Sequence, residues 1–128
     1  MNREIKLRAW NKQLSKFLSN EEWYLDLNGK LCFLDIGAEV GDDVVECTEE
    51  LYVIQQYTGL KDSCDGKEIY EGDILRVHSL INQNDVVAEV VWLYTGWAIR
   101  IDTNYFNLLQ YTDLEVIGNI FENKELLQ

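Results

Sequence analysis

Turn-forming residues are concentrated between Gln55 and Val77, in the segment QQYTGLKDSCDGKEIYEGDILRV. Gly59, Gly66 and Gly72 fall within fourteen residues of one another. Glycine adopts positive φ at little steric cost, so each of the three is a place where the backbone turns sharply. The segment therefore predicts a chain that reverses direction more than once between two strands.

The residues after these glycines predict a turn that leads into a strand. Aspartate side chains commonly accept hydrogen bonds from turn amides, and Asp73 directly follows the last glycine. The run DILRVH then alternates, with Leu75 and Val77 on one face, which is typical of a half-buried strand. Ile74 falls on the polar face and needs cover from elsewhere. We assign a structural role in turns to Gly29, Gly59, Gly66, Gly72 and Asp73.

The same segment carries a family resemblance. Read as QYTGL-KD-x-DGKEIYEGDIL, it resembles the signature of the YopX-like proteins of phages and prophages. REIKLRAW at residues 3–10 and EVIGNIFEN at residues 115–123 are similar to the opening and closing segments of that family. The resemblance implies a barrel of the SH3 type, a phage or prophage origin and an unassigned function without a known catalytic residue.

Size and composition predict a cytosolic protein with a substantial core. A chain of 128 residues with 47% apolar content can bury a core of one compact unit, or of a domain with a subdomain. No apolar run approaches the roughly 18 residues of a membrane span. The first residues lack the apolar stretch of a signal peptide. We expect no membrane association and, given the resemblance, a location in the bacterial host cytosol.

The cysteine and proline content limits the use of disulfides in this fold and the residues that can make its turns. Cys32, Cys47 and Cys64 are odd in number and widely spaced, which predicts reduced thiols rather than a disulfide framework. There is no proline at all, so turns must be made by Gly, Asn and Asp.

The net charge of −12 is unevenly distributed along the chain. The first sixteen residues carry +4, whereas Leu31 to Leu60 contains seven acidic residues and no Lys or Arg. An acidic surface repels a phosphate backbone, so direct nucleic-acid binding is disfavoured unless the basic N-terminal strand acts alone. The ordinary interpretation of residues 35–50 is a solvated acidic loop.

In the first strand, Trp10 lies on the charged face, opposite Ile5, Leu7 and Ala9. A large aromatic on that face is either covered by another segment of the chain, which we favour, or part of an interface.

The clearest hairpin is WYLDL-NG-KLCFL, at residues 23–34. Asn-Gly is the preferred pair for a two-residue type I′ loop, and this loop predicts that Leu25 faces Cys32 and Tyr24 faces Phe33. A short amphipathic helix through residues 43–52 is left open, because apolar residues recur there at spacings of three and four.

The remaining alternation completes a mainly β fold. Strands are expected over residues 51–57, 73–78, 86–94, 97–102 and 114–121. Gly118 interrupts the last of these, where we expect a bulge or the close approach of another backbone. We predict an N-terminal β-hairpin subdomain with an acidic loop over residues 1–54. Residues 55–128 are predicted to form a small SH3-like β-barrel without an open edge.

Motifs for catalysis, cofactors and metals are missing. The spacing from Gly59 to Gly66 does not fit a P-loop, and Lys67 is followed by Glu68 rather than Ser or Thr. An EF-hand fails for want of carboxylates at the required positions, and no closely spaced Cys or His pair exists for zinc. His78 is the single histidine, and we interpret it as exposed or locally hydrogen-bonded. We predict no enzymatic activity and no cofactor.

Five aromatic residues allow a recognition groove of the kind that small barrels use for extended peptides. These residues are Trp92, Tyr94, Trp97, Tyr105 and Tyr111. We favour a core role for them over a groove.

Three functional hypotheses follow. The first is a non-enzymatic phage accessory or regulatory protein that binds a host or phage protein, with self-association left open. The second is an acidic nucleic-acid mimic that occupies a basic host protein. The third is an enzyme with an unrecognised carboxylate site at Glu68, Glu71 and Asp73. The candidate interaction surface for the first comprises Trp10, Asp35, Glu39, Asp42, Asp43 and Glu46.

Overall fold

The computed structural model describes residues 5–19, 23–25, 27–28, 31–34, 44–46, 52–93 and 96–127. Its regular structure consists of antiparallel strands with two short 3-10 helices, which confirms the prediction of a mainly β fold. The contacts divide the chain into two compact units. We call Leu7–Ile54 the N-terminal unit, and Met1–Lys6 with Gln55–Gln128 the C-terminal unit. Lys6, which the sequence assigned to the N-terminal subdomain, thus belongs to the second unit.

Five short strands lie within the described part of the N-terminal unit: β1 (Leu7–Asn11), β2 (Lys16–Phe17), β3 (Trp23–Leu25), β4 (Leu31–Leu34) and β5 (Val44–Glu46). β1 and β2 form an antiparallel hairpin in which Trp10 faces Phe17. The Asn11 side chain accepts hydrogen bonds from the N–H groups of Gln13 and Leu14, which closes the turn between them. β3, β4 and β5 form a separate three-stranded sheet.

The hairpin of β3 and β4 is confirmed, but its predicted register is wrong by one residue. Tyr24 faces Cys32 and Leu25 faces Leu31, so five residues connect the paired positions rather than two. Longer loops, most often built around a type I turn, are the common alternative to the two-residue loop. A shift of one residue changes which side chains share a face of the sheet.

The helix left open for residues 43–52 is wrong for the part that the structure describes. Val44–Glu46 is the strand β5, which pairs with β4 so that Val45 faces Phe33. Two consecutive β-branched valines lose χ1 freedom in a helix and fit an extended strand better.

The C-terminal unit contains most of the longer strands: β6 (Tyr52–Lys61, entering from the N-terminal unit), β7 (Glu68–Tyr70), β8 (Asp73–Ser79), β9 (Asp85–Leu93), β10 (Gly96–Ile101), β11 (Asn104–Asn107) and β12 (Tyr111–Asn119). Its 3-10 helices are Leu108–Gln110 and Lys124–Leu127. β8 to β11 follow one another as a meander, and β12 returns to pair with β8. β6 pairs with β7.

One apolar cluster forms the core of this unit, and it comprises Ile69, Leu75, Val77, Ala88, Val90, Ile99 and Leu108. The predicted alternation in β8 places Leu75 and Val77 in that cluster. Ile74, on the other face of β8, is also fully buried, so the cover that the sequence required is present. Full burial of a Leu, Ile or Val side chain contributes about 1.5–3 kcal/mol to stability.

β12 is irregular around Gly118, as the sequence predicted. Its pairing with β8 shifts register between Val116 and Gly118, which is a bulge or a similar irregularity. A Cβ atom at Gly118 would lie 2.6 Å from Oδ1 of Asn123. The close approach is therefore made by a side chain rather than by a backbone. The same oxygen accepts a hydrogen bond from the N–H of Asn119.

Gly59, Gly66 and Gly72 have positive φ angles of 86°, 70° and 84°. At Gly72 the chain is also held from both sides, since its N–H donates to Val90 and its carbonyl accepts from Ile120. Gly29 lies outside the described residues.

Asp73 is buried directly after this turn. Its Oδ2 accepts the N–H of Tyr70 at 2.7 Å, so the side chain closes the turn between β7 and β8.

Asp62, which sequence reasoning did not single out, holds the turn after β6 together. Its Oδ1 accepts the N–H groups of Asp65 and Lys67, and its Oδ2 accepts the N–H of Val116 at 3.2 Å. The neighbouring Ser63 donates its N–H to the carbonyl of Leu114. Burial raises the pKa of the Asp62 carboxyl, but hydrogen bonds from four backbone amides outweigh this effect and lower the pKa below its usual value.

Replacement of Asp62 should therefore destabilise the C-terminal unit in a pH-dependent way. We expect Asp62→Ala to lower the free energy of unfolding by roughly 1–3 kcal/mol, because the backbone amides bonded to Asp62 lose a charged acceptor. Since the folded pKa lies below the unfolded one, the wild-type advantage is present above about pH 4 and declines as the pH falls through the folded pKa. Urea unfolding at several pH values measures both effects. The control is Asp65→Ala, whose exposed side chain makes only a 3.9 Å ion pair with Lys67; an equal loss in the control would contradict this role.

Gly72 and Gly66 form a matched pair for a second prediction. Both have positive φ, but a Cβ at Gly72 would lie 2.0 Å from Nε2 of the buried Gln55, whereas nothing lies within 4 Å at Gly66. We expect Gly66→Ala to cost about 1–2 kcal/mol from backbone strain alone. Gly72→Ala should cost a further 1–3 kcal/mol from overpacking. Equal midpoints for the two variants in chemical denaturation would refute the contact at Gly72.

Candidate binding pocket

The C-terminal unit contains an open pocket of about 630 Å³. This volume falls within the range of small-molecule and cofactor sites in proteins. All of the lining side chains are uncharged: Leu60, Leu93, Gly96, Trp97, Ala98, Tyr105, Phe106, Asn107, Leu108, Leu109, Tyr111 and Leu114. The pocket is therefore suited to an apolar group rather than to an ion.

The hairpin of β10 and β11 builds one wall of the pocket. In its register Ala98 faces Asn107, and Ile99 faces Phe106. Phe106 packs against the core of the unit and meets Tyr111 edge to face, with ring centroids 6.5 Å apart. Some residues therefore contribute both to the core of the unit and to the floor of the open pocket.

The 3-10 helix after β11 supplies the rim. Asn107 caps this helix by accepting the N–H of Leu109 on its side-chain Oδ1 at 2.9 Å. The tight turn directs two consecutive leucines differently, so that Leu108 is 7% exposed and Leu109 is 85% exposed. Leu109, Tyr105 and Leu60 are all exposed apolar side chains that line the pocket.

Two tryptophans meet at the pocket. Trp97 lines it, and Trp92 packs against Trp97 across β9 and β10 with ring centroids 4.8 Å apart. Trp92 is half exposed. The Nε1 atom of Trp97 is buried without a hydrogen-bond partner in the part of the chain that the structure describes. A buried donor without an acceptor costs about 1–3 kcal/mol.

Trp97 and Tyr111 pack against the core, as the favoured interpretation predicted, and part of the aromatic set also lines the pocket. A recognition groove stays a prediction. Trp97, Tyr105 and Tyr111 line the pocket and Trp92 contacts it through Trp97. Tyr94 lies outside the described residues. The leucines of the pocket were missed, because single apolar residues at element ends follow no periodic pattern. The adjacent Leu108 and Leu109 were the one available signal, since one of two consecutive leucines commonly faces solvent.

Most of the predicted interaction surface lies outside the described residues, so its assembly stays a prediction. Trp10 is 6% exposed and its ring packs edge to face against Phe17, with centroids 4.9 Å apart. Cover by the same chain therefore removes Trp10 from the candidate surface. Asp35, Glu39, Asp42 and Asp43 lie outside the described residues. Glu46 ends strand β5.

The three carboxylates of the enzyme hypothesis have separate structural partners. Glu68 forms an ion pair with Lys6. Glu71 accepts the N–H of Gln56, and Asp73 accepts the N–H of Tyr70. Within the described residues, no cluster of His, Cys, Asp and Glu is arranged to hold a metal ion.

His78 lies between two oxygen acceptors at the surface. Its Nδ1 is 2.8 Å from Oδ1 of Asp85, and its Nε2 is 3.3 Å from Oε1 of Gln83. These hydrogen bonds, that to Asp85 above all, raise the pKa of the imidazole above its usual value. A ring held by an acceptor on each nitrogen is stabilised as the imidazolium, which is a poor general base.

The exposed thiol of Cys64 is similarly held in its unreactive form. Its Sγ donates a hydrogen bond to Oε2 of Glu115 at 3.4 Å, and Oε1 of the same carboxylate pairs with Arg76 at 3.1 Å. The bond to Glu115 raises the pKa of the thiol, so the thiolate that reacts as a nucleophile is disfavoured. Cys32 is buried as a free thiol.

The C-terminal unit is thus a mainly β unit that contains a glycine-rich turn segment and carries an uncharged pocket. The sequence profile described as YopX protein matches residues 6–128. The chain belongs to the YopX family. This finding confirms the resemblance seen in the three sequence segments.

Two solved structures share the fold. The protein EF1440 from Enterococcus faecalis is 27% identical over 99% of this chain and 100% of its own, with a TM-score of 0.62. The protein yopX from Bacillus subtilis is 22% identical over 95% of this chain and 97% of its own, also with a TM-score of 0.62. No curated protein sequence matches this chain. None of the helices in the described residues is long and apolar enough to cross a membrane.

His78 provides a direct test of the surface electrostatics. Because it is the single histidine of the chain, its ring C–H resonance can be followed by NMR without ambiguity. We expect a pKa above 6.5 that falls toward that value in Asp85→Asn. Since the folded pKa is raised, any stability that this pair contributes is present below about pH 6.5 and is lost as the pH rises through the folded pKa. An unshifted titration in the wild type would contradict the hydrogen bonds described.

The pocket should bind a neutral apolar dye such as Nile red. We expect enhanced dye fluorescence with the wild type and at least about tenfold weaker binding with Leu109→Glu, because a carboxylate at the rim disfavours an apolar occupant. Leu27→Glu is the matched control, since Leu27 is fully exposed and does not line the pocket. Equal binding by both variants would show that the dye lies elsewhere.

Proposed function

We propose that this chain is a non-enzymatic accessory or regulatory protein of a phage or prophage, acting in the bacterial cytosol by binding a host or phage protein. The observation that carries the proposal is the uncharged pocket in the C-terminal unit, with exposed Leu60, Tyr105 and Leu109 along it. Exposed apolar side chains gathered at a concave site are typical of protein interaction surfaces.

The strand arrangement supports an SH3-type barrel for residues 55–128. Four consecutive strands form a meander, a 3-10 helix follows the fourth, and the fifth strand returns to the first. Small barrels of this kind commonly bind extended peptides at aromatic-lined grooves. Trp97, Tyr105 and Tyr111 provide such a lining.

The chemistry of the surface favours binding over catalysis. Hydrogen bonds to Asp85 and Gln83 raise the pKa of the His78 imidazole, and the hydrogen bond to Glu115 raises the pKa of the Cys64 thiol. The turn carboxylate Asp73 is occupied by a backbone amide. The groups that most often act as base or nucleophile are therefore committed to local hydrogen bonds.

The acidic nucleic-acid mimic is a second candidate. It is favoured by the seven acidic residues between Leu31 and Leu60, a segment without Lys or Arg. Carboxylates on such a segment would occupy a basic protein in place of a phosphate backbone. This mode makes no use of the pocket.

Affinity capture from infected or lysogenic cells, followed by mass spectrometry, tests both candidates. We expect a partner retained by the wild type and by Leu27→Glu but depleted at least about tenfold with Leu109→Glu. Retention of the same partner by Leu109→Glu would contradict the pocket. A partner whose capture falls steeply with salt and is displaced by DNA would identify the mimic instead.

A further inference from the structure

Strand β11 lies at one end of the five-stranded sheet, directly beside the pocket. The strand order is β11-β10-β9-β8-β12, so β11 is hydrogen-bonded to β10 on one side only. Among the hydrogen bonds of the described residues, none engages the outward backbone groups of Asn104–Asn107. Tyr105, Phe106 and Asn107 of this strand line the pocket. The free edge and the apolar pocket therefore form one continuous surface.

The opposite edge of the sheet, strand β12, is covered by another segment of the unit. On β12, the N–H of Val116 donates to the Asp62 carboxylate and the carbonyl of Leu114 accepts the N–H of Ser63. The turn after β6 thus occupies backbone groups of β12 that would otherwise be available to another strand. Among the described residues, a loop of the same unit covers the β12 edge, and no segment is hydrogen-bonded to the outer edge of β11.

The uncovered edge also lacks the side chains that normally discourage pairing. Proteins protect exposed edge strands with Lys, Pro, inward-pointing charges or bulges. The sequence of β11 is Asn-Tyr-Phe-Asn, which has no charge and no proline, and its pairing with β10 is regular over all four positions. Short length is the one protective feature that it retains.

We propose that an extended segment of a partner protein adds to β11 as a further antiparallel or parallel strand and places apolar side chains in the pocket. This inference rests on the proposed function and specifies its mode. Strand addition supplies affinity through main-chain hydrogen bonds, and the pocket supplies specificity for alternate side chains. The segment must be extended, because a helix offers no row of free backbone groups to the edge.

The charge of the C-terminal unit indicates which residues should flank the partner's extended segment. Residues 55–128 contain five Lys and Arg against twelve Asp and Glu. Exposed Asp102 precedes β11, and exposed Asp113 follows the 3-10 helix in the chain, next to Leu114 of the pocket. The nearby Arg100 is paired with Glu89 at 2.9 Å. An apolar strand with Lys or Arg at its ends therefore complements the site, whereas a second copy of a chain with charge −12 is repelled.

The test uses synthetic peptides and does not require the natural partner. An array of peptides of roughly ten residues, alternating varied apolar residues with Thr and ending in Lys, is screened against the full chain. Matched arrays carry Glu at the ends, or proline-rich sequences in the centre. We expect the Lys-flanked set to contain binders, the Glu-flanked versions to bind at least about tenfold more weakly, and Leu109→Glu to lose binding that Leu27→Glu retains.

N-methylation of the best peptide distinguishes strand addition from simple insertion. Alternate amides of a strand point to opposite edges, so only one of the two alternating sets faces β11. Methylating that set should abolish binding in calorimetry, while methylating the other set should leave it within about threefold. Those amides of Asn104–Asn107 that point away from β10 should also become protected from hydrogen exchange in the complex.

The outcomes separate this inference from the proposed function. Strand addition would be overturned if Leu109→Glu lost peptide binding while methylation of either set of peptide amides weakened binding equally. The pocket would then remain as a binding site. Selection of only proline-rich peptides would do the same. If no peptide binds, this inference fails, whereas the proposed function is decided by the affinity capture described above. A concentration-dependent dimer of the chain alone, with the β11 amides protected, would identify a second copy as the occupant and overturn the choice of partner.

Discussion

The hydrogen bonds that the Asp62 carboxylate accepts are the interaction on which the C-terminal unit most depends. It gathers amides of its own turn on one oxygen and reaches Val116 of β12 with the other. This fixes the end of β6 beside the strand that closes the sheet. Leu60 and Leu114, which flank these contacts in the chain, are both walls of the pocket. A single buried charge thus connects the turn segment of the family signature to the site.

Much of the strand pattern was accessible from the sequence, because alternation reports directly on which face of a strand is buried. Leu75 and Val77 entered the core as their spacing indicated, and Gly118 marked an irregularity since a side chain there would collide with Asn123. Positive φ at the three signature glycines is likewise a local property of the residue type. These features depend on few neighbours, which is why a single sequence specifies them.

What the sequence could not specify depends on distant partners. The hairpin register followed a longer loop than Asn28-Gly29 implied, and Val44–Glu46 became a strand because β4 offered it an edge. The sequence favoured cover of Trp10 by another segment of the chain but could not identify Phe17 as that cover. The pocket draws on β6, β9, β10, β11 and β12, so no local pattern announces it. Asp62 was inconspicuous among 23 acidic residues, since only its amide partners distinguish it.

The proline-free turns have a kinetic consequence. Turns and strand irregularities are made by residues that tolerate the left-handed region, among them Gly66, Gly72, Asp102 and Asp113. None of these conformations has to wait for rotation about a prolyl peptide bond, a process that takes tens of seconds or longer at room temperature. A newly synthesised or denatured chain is therefore spared that slow step, and its rate of recovery is set by how quickly distant strands find one another.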